Sequence, residues 1–307
     1  MKKKLFLFVL MFLGVLITGC SQTEVDHTIT VYTRDTTSGT RDGFFTTIAF
    51  PEAISDNSGL VNGYVELESN GGIINALKND EYGIGYISLA SLETSELKGL
   101  SYEGISPTEA NVINETYTMK RNFNYIIREN YDLTAEADII TAFLAFLETS
   151  DAKATVVSKS GIVEITGNES SWDDIKVNYP ISLEDNSGIT INFGGSTSVE
   201  SVAKALSAEF STKCGNFIAE HNHTGSGDAY KRTQGSEKDG ANKLHIGFAS
   251  REFKLTSTET AVQGTYGVIC VDAIVAVVNN SNSLGNITAE DLKKIYNGEI
   301  TKWSELE

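Results

Sequence analysis

Three short loops in this sequence combine glycines with hydroxyl side chains. The first runs from Tyr32 to Arg41 and the second from Phe193 to Ser198, each between a predicted strand and a predicted helix; the third is Thr224 to Asp228. The first turn of a helix has unpaired N–H groups and a partial positive charge. Small residues let an anion reach those groups, and hydroxyls add donors. Each loop taken singly could be an ordinary helix cap. The three together, with Arg34 and Arg41 flanking the first, predict an anion site.

Other kinds of chemistry find little support. The sequence has no Gly-x-Ser-x-Gly elbow, Walker A loop or His-Glu-x-x-His motif, so a hydrolase or NTPase would lack its nucleophile or phosphate cradle. His221 and His223 could form a metal pair, but two histidines at this spacing without a third ligand are usually solvated loop residues. We therefore expect no metal, no cofactor and no enzyme activity. For Cys214 and Cys270 a disulfide and two buried thiols both stay open.

The composition narrows the choice of partners. The chain has 307 residues, of which 40% are hydrophobic, which is enough to bury one or two cores. It has 41 acidic against 24 basic side chains, a net charge of −17, and no basic patch beyond its first four residues. This balance argues against nucleic acid or an anionic surface as a partner.

The N-terminus has the pattern of an export signal. A basic start at residues 1–4 precedes an apolar run from Leu5 to Ile17, too short to span a bilayer comfortably. The segment ends in Ile-Thr-Gly-Cys20, which resembles the bacterial lipobox. This resemblance implies a signal peptide over 1–19, a lipid (palmitate) on Cys20, a tether over 20–27 and a location on the outer face of the cell membrane. The alternatives are an ordinary signal peptide or an uncleaved anchor.

The remaining chain alternates predicted strands with predicted helices. This alternation is typical of α/β layers with mostly parallel sheets. A polar stretch over 166–188 interrupts it and has the composition of a linker. We predict strands at 29–32, 64–67, 82–87, 123–128, 189–193, 244–249 and 273–278, and helices at 38–50, 71–77, 134–158, 199–210 and 288–296.

Several motifs resemble those of one family, the substrate-binding lipoproteins of phosphate ABC transporters (PstS-type). Arg34–Arg41 resembles the family's Arg-Glu-Asp-Gly-Ser-Gly-Thr-Arg signature, and Gly195–Val199 its Gly-Ser-Thr-Ser-Val motif. Gly225–Gly227 resembles its Gly-Ser-Gly loop, and Ile246–Glu252 its Ile-Gly-Met-Ala-Ser-Arg-Glu strand. The segments 82–86 and 295–303 also match. The resemblance covers nearly all of 28–165 and 189–307.

The order of these motifs differs from the family's usual order. There the Gly-Ser-Thr-Ser motif comes first, whereas here Ser-Gly-Thr-Arg opens the chain and the Gly-x-Ile-Thr-x-Trp segment ends it. This looks like a circular permutation in which 166–188 joins the old termini. If so, residues 287–303 should pack in the same lobe as 29–50, and Ser38 and Ser196 should face one cleft.

The resemblance implies a two-lobed, periplasmic-binding-protein-like (venus flytrap, type II) fold with mixed, mostly parallel sheets. Lobe two would comprise 28–95 plus 286–307, and lobe one 96–285. The implied function is capture of inorganic phosphate in the interlobe cleft and its delivery to the permease subunits of an ABC importer. The implied phosphate-binding residues are Arg34, Ser38, Gly39 and Thr40 from lobe two, and Ser196, Thr197, Ser198, Ser226, Ser250 and Arg251 from lobe one.

Two departures from the family pattern leave alternatives open. Thr36-Thr37 replaces the family's Asp-Gly, and His245 replaces its Asp before the Ile-Gly strand. The carboxylate that would accept the proton of phosphate has three candidates, Asp35, Asp42 and Asp228. Four other hypotheses remain. The protein could be a degenerate relative with a signalling or adhesive role, a binder of another oxyanion, an exported phosphatase or sulfatase, or a chain that pairs with a second copy.

Overall fold

The computed structural model of the protein describes residues 26–256 and 258–306. The predicted signal peptide, the lipidation site at Cys20 and most of the tether lie outside these residues. Within them, no helix has both the length and the apolar character needed to cross a membrane.

Eleven strands and eleven α-helices are found in the described residues. The strands are β1 Thr30–Arg34, β2 Val65–Leu67, β3 Gly83–Ser88, β4 Lys98–Gly99, β5 Ser101–Tyr102, β6 Lys120–Ile127, β7 Thr190–Gly195, β8 Ile218–His223, β9 Ile246–Ala249, β10 Tyr266–Val278 and β11 Asn286–Ile287. The helices are α1 Gly39–Thr47, α2 Glu52–Ser55, α3 Asn70–Lys78, α4 Leu89–Leu92, α5 Glu109–Ile113, α6 Thr134–Leu147, α7 Ser150–Val157, α8 Trp172–Ile175, α9 Glu200–Lys213, α10 Ser226–Thr233 and α11 Ala289–Asn297.

One mixed sheet runs through the molecule in the order β2-β1-β3-β10-β6-β9-β7-β8, with β4 also paired to β10. Two parallel blocks, β2-β1-β3 and β9-β7-β8, flank the antiparallel pair β10 and β6. The expected mixed α/β class is therefore confirmed, with parallel pairing in the two outer blocks. In each block the strands end at one side, and helices begin there after β1, β2, β3, β7 and β8.

Two hydrophobic cores divide the sheet. The core of lobe two takes its buried side chains from 29–119 and 273–296, together with Ile162. The main core of lobe one takes them from 123–217 and 246–270. The lobes therefore meet near residues 120 and 272 rather than at 96 and 285. The shift arises because the chain before β6 packs on β10: Leu100 N–H bonds the Ala276 carbonyl at 2.9 Å, and the Tyr117 hydroxyl bonds the Ile274 carbonyl at 2.8 Å.

The two ends of the described chain lie together in lobe two. Thr28 forms an antiparallel bridge with Lys302, and the Tyr296 hydroxyl donates to the Tyr32 carbonyl at 2.9 Å. The apolar face of α11 is buried in the same core as β1 and α1. This confirms the packing expected for residues 287–303.

The segment 166–188 is a structured connection. Ser171 caps α8, and Trp172 is buried against Phe146 and Phe210 of lobe one. The single helix predicted over 134–158 is two helices, because Thr149 ends α6 and caps α7 through its hydroxyl.

The two cysteines in the described part of the chain, Cys214 and Cys270, are buried free thiols. Of the two possibilities left open by the sequence, the structure therefore has the thiols.

Candidate functional site

Arg34 ends β1 at the edge of the sheet where the lobes face each other, and its side chain is buried. Its guanidinium donates to the Asn70 Oδ1 at 3.0 Å, to the Glu68 carbonyl at 2.8 Å and to the Thr197 hydroxyl of lobe one at 3.3 Å. Its Nε has no hydrogen-bond partner among the described residues. A buried N–H without a partner is costly, so the geometry leaves one charged donor free for a ligand.

Asp35 supplies the nearest negative charge. Its Oδ2 lies 3.9 Å from the Arg34 Nη2 and is buried with no hydrogen-bond partner in the residues described. Burial lowers the pKa of Arg34 to about 10, against the opposing charge of Asp35. At neutral pH the guanidinium thus remains charged, in a setting where water does little to screen it.

The N-terminus of α1 meets lobe one directly. Ser38 caps the helix, with its hydroxyl oxygen accepting from the Arg41 N–H at 3.4 Å. The Thr40 and Ser198 hydroxyls lie 2.8 Å apart across the cleft. At Gly39 a Cβ would lie only 2.7 Å from the Ser250 Oγ, so only glycine permits this approach.

Hydroxyl groups of lobe one complete the cluster. Ser196 and Ser198 follow β7, Ser250 follows β9, and Ser226 opens α10. The Ser196 hydroxyl donates to the Ser250 Oγ at 3.0 Å, and the Ser226 and Ser250 hydroxyls lie 3.1 Å apart. All four side chains are buried. They belong to loops far apart in sequence, and parallel strand ends bring them together.

The two other arginines of these motifs, Arg41 and Arg251, have different roles. Arg41 is fully buried and donates to the carbonyls of Ala53, Arg34 and Asp56, so it holds the loop before β2 in place. The guanidinium of Arg251 bonds both carboxylate oxygens of Glu259, at 2.6 and 3.0 Å. In the structure the guanidinium of Arg251 is thus paired with a buried carboxylate and has no hydrogen bond to the other nine predicted residues.

Asn70 is a member of the cluster that the sequence did not single out. It lies at the start of α3, and its amide group accepts from Arg34 and donates to the Ser198 Oγ at 3.1 Å. It therefore connects the cation of lobe two to a hydroxyl of lobe one. The only local sign of its role in the sequence was that Glu68-Ser69-Asn70 joins a strand to a helix, but this junction has no arginine and no recognisable motif.

His221 and His223 form a hydrogen-bonded relay behind the Ser196 loop. The His223 Nδ1 lies 3.0 Å from the Ser196 carbonyl and therefore carries a proton, since a carbonyl only accepts. Its Nε2 lies 3.1 Å from the His221 Nδ1, and the His221 Nε2 lies 2.8 Å from the Ser207 hydroxyl. Burial lowers the pKa of both rings, that of His221 to about 4. The pair is thus neutral near pH 7 and supports the loop.

A cavity of about 700 Å³ opens beside the cluster, between the helices of the two lobes. Asn70 and Ser91 line it from lobe two, and Thr197, Lys204 and His223 from lobe one. No group of three or more His, Cys, Asp or Glu side chains in the described residues could hold a metal ion. The arrangement offers a small anion a charged donor, several hydroxyls and a helix N-terminus, with solvent access on one side.

In comparison with known proteins, a family model matches part of the chain, and several curated proteins match nearly all of it. Residues 169–307 match a family model described as a PBP superfamily domain. The "Phosphate-binding protein PstS 2" of Streptococcus agalactiae is 28% identical over 309 residues, covering 97% of this chain and 94% of that protein. The protein of the same name from Streptococcus pneumoniae is 24% identical over 290 residues, covering 94% and 91%. Each alignment runs through almost the whole of both chains, so these relatives share the order of segments found here.

A crystal structure of the phosphate-binding protein of a phosphate ABC transporter from Streptococcus pneumoniae has a similar fold. It superposes with a TM-score of 0.62 at 22% sequence identity and covers 92% of this chain and 100% of that one. This match shows the two-lobed periplasmic-binding-protein fold. The family model over residues 169–307, the relatives that match along nearly their whole length and the shared fold thus make this chain similar to the phosphate-binding proteins of ABC transporters.

Proposed function

We propose that this protein is a solute-binding protein that captures inorganic phosphate between its lobes for an ABC importer. The observation that best supports the proposal is that predicted residues from distant loops contact one another across the lobes, while the Arg34 Nε has no partner in the described residues. Relatives named as phosphate-binding proteins support it. Since the chain itself carries a net charge of −17, the affinity for an anion must come from short-range hydrogen bonds in a dry cleft.

Selectivity for phosphate over sulfate requires an acceptor, because only phosphate still carries a proton near neutral pH. Of the three candidate carboxylates, we assign this role to Asp35, whose buried Oδ2 lies beside Arg34 without a partner in the described chain. Asp228 is engaged by the Thr224 hydroxyl, and Asp42 lies 3.9 Å from the Lys254 Nζ. In Asp35→Asn, phosphate affinity should fall while sulfate affinity rises.

The decisive experiment is isothermal titration of the purified protein with phosphate, sulfate and molybdate. Arg34→Ala should weaken phosphate binding about 30- to 4000-fold, since loss of a charged donor from a desolvated site costs about 2–5 kcal/mol. Arg251→Ala is the matched control and should bind phosphate like the wild type, because its guanidinium is paired with Glu259. Unchanged affinity in Arg34→Ala would remove Arg34 from the site.

Three of the alternatives can be tested with the same preparation. Phosphate release from an ester would favour a hydrolase, whereas the proposal expects none. Preference for molybdate or sulfate in the titration would make the protein a binder of another oxyanion. A wild-type protein that binds none of the three would be a degenerate relative.

We further propose that the mature chain is held by a lipid on Cys20 at the outer face of the cell membrane, next to the permease subunits of the importer. The lipobox-like end of residues 17–20 supports this location. Cys20→Ser should release the protein or leave an unprocessed precursor. Normal lipid labelling of this variant would exclude Cys20 as the attachment site.

A further inference from the structure

A second buried arginine lies where the chain crosses between the lobes. Met119, just before β6, is in the core of lobe two, and Phe123 of β6 is in the core of lobe one. Strand β10 crosses in the opposite direction, with Cys270 in the core of lobe one and Ala273 in that of lobe two. Arg121 and Asp272 occupy the crossing points and are direct cross-strand partners. This pair therefore lies at the hinge, on the floor of the space between the lobes.

The hinge pair is only half satisfied. The Arg121 Nη2 donates to the Asp272 Oδ2 at 3.1 Å, while the other carboxylate oxygen accepts from the Ser88 hydroxyl at 3.1 Å and from the Ala90 N–H at 3.4 Å. The Nε and Nη1 of Arg121 have no partner within the described chain, although the side chain is only 5% exposed. Asp272 thus has its oxygens bonded, and Arg121 retains two free donors. Buried charged donors without partners are rare and costly.

The side chain of Arg121 packs beside α1, one turn from the anion cluster. The Cδ of Arg121 is 3.7 Å from the place a Cβ on Gly43 would take, one turn along α1 from Gly39. Ser88 ends β3 and Ser250 follows β9; these strands run in opposite directions, so their C-terminal ends face each other across the crossing. The second turn of α1 therefore packs on the hinge pair while its first turn touches lobe one.

The two buried arginines lie close enough for the charge of Arg121 to lower the pKa of Arg34. The ionisable groups that act on Arg121 are Asp272 from β10, Tyr86 from β3 and Asp42 from α1. Burial lowers the pKa of both arginines, and it raises the pKa of Asp272 to about 6. Each arginine has one carboxylate beside it, Asp35 or Asp272, and still keeps N–H groups without a partner in the described residues. A phosphate dianion would supply acceptors for these free N–H groups.

We propose that Arg121 is a second charged ligand of the interlobe site, donating from Nε and Nη1 to the oxyanion, so that the hinge itself contacts the dianionic form of phosphate. The inference rests on the proposed function. It also links ligand binding to the strands that bend when the lobes move, because the ligand would hold the two crossing strands at one point.

The test compares two variants that both lack the Asp272 carboxylate, Asp272→Asn and the double variant Arg121→Gln/Asp272→Asn. The second retains an amide pair at the hinge and differs from the first only in the charge and donors of residue 121. Lys120→Gln is the charge control, since Lys120 is an exposed neighbour paired with Glu115. Phosphate is titrated into each variant and into the wild type at pH values above and below the second ionisation of phosphate.

We expect the double variant to bind dianionic phosphate about 10- to 100-fold more weakly than Asp272→Asn, with a smaller loss for the monoanion. Lys120→Gln should match the wild type. A merely structural role for Arg121 would lower the affinity for both ionic forms equally, and that result, or equal affinity in the two Asp272 variants, would overturn the inference. Wild-type protein that binds no phosphate would overturn both this inference and the proposed function.

If the double variant does not fold, nitrogen-15 spectra of the wild type decide the question. The Arg121 Nε–H signal, identified by its absence in Arg121→Lys, should shift on addition of phosphate and exchange more slowly with solvent. An Arg121 signal that phosphate leaves unchanged would overturn the inference, while a shift confined to the Arg34 signal would leave the proposed function standing.

Discussion

Gly39→Ala should prevent the lobes from closing while leaving each lobe folded. Gly39 is the first residue of α1 and has an ordinary helical backbone, so alanine can adopt its conformation. The added Cβ would lie 2.7 Å from the Ser250 Oγ, 2.8 Å from the Ser226 Oγ and 2.8 Å from the Ser250 carbonyl carbon. These atoms belong to lobe one, so the overlap exists only when the lobes are together.

The expected size of the effect follows from these distances. An ordinary contact of a carbon atom is about 3.5 Å, so the new methyl group is about 0.7 Å too close. The serine hydroxyls can rotate away, but the backbone carbon of Ser250 cannot. Such overpacking costs about 1–3 kcal/mol, which lowers the affinity of the closed site about 5- to 150-fold. In the separated lobes the change favours the helix by up to about 1 kcal/mol.

Phosphate titration and small-angle scattering measure the two consequences. Gly39→Ala should bind more weakly and contract less on adding phosphate, while its unfolding midpoint in urea without ligand should not fall. Gly71→Ala is the control, because Gly71 lies in the first turn of α3 and its Cβ would meet only Ser69 of its own lobe, at 3.8 Å. Wild-type affinity together with wild-type contraction in Gly39→Ala would refute the steric argument.

Two further predictions concern stability. Arg41→Met should lower the free energy of unfolding by about 2–5 kcal/mol, because it leaves several buried carbonyl groups without a donor; an unchanged urea midpoint would contradict this role. Burial lowers the pKa of His221 from 6.5 to about 4 in the folded protein. As the pH falls, this residue is therefore protonated in the unfolded chain before it is protonated in the folded one. The protein should therefore lose stability as the pH falls from about 6.5 towards 4, by up to about 1.4 kcal/mol per pH unit from this residue. His221→Gln should reduce that loss, and urea titrations at several pH values would measure it.

Local sequence patterns predicted much of the secondary structure and most of the cluster. Strand β1 and the capped start of α1 are encoded within a dozen residues, since alternation, a Ser cap and a glycine act over short range. The Ser196 loop follows the same pattern after β7. The lobe boundaries were less predictable, because β10 is one continuous strand of 13 residues that serves both cores, and its apolar pattern continues on both sides of Asp272 at the crossing.

Residue type and spacing by themselves determined that this chain has helix N-termini suited to an anion, a basic and apolar N-terminal segment and an alternating α/β order. Only the tertiary structure decided which arginine is free to bind. Arg34, Arg41, Arg121 and Arg251 carry the same charge, yet carbonyl groups engage Arg41 and Glu259 engages Arg251, whereas Arg34 and Arg121 keep unpartnered N–H groups in the described chain. The reason is physical: whether a buried charge is satisfied depends on atoms within about 3 Å, and strands distant in sequence supply those atoms.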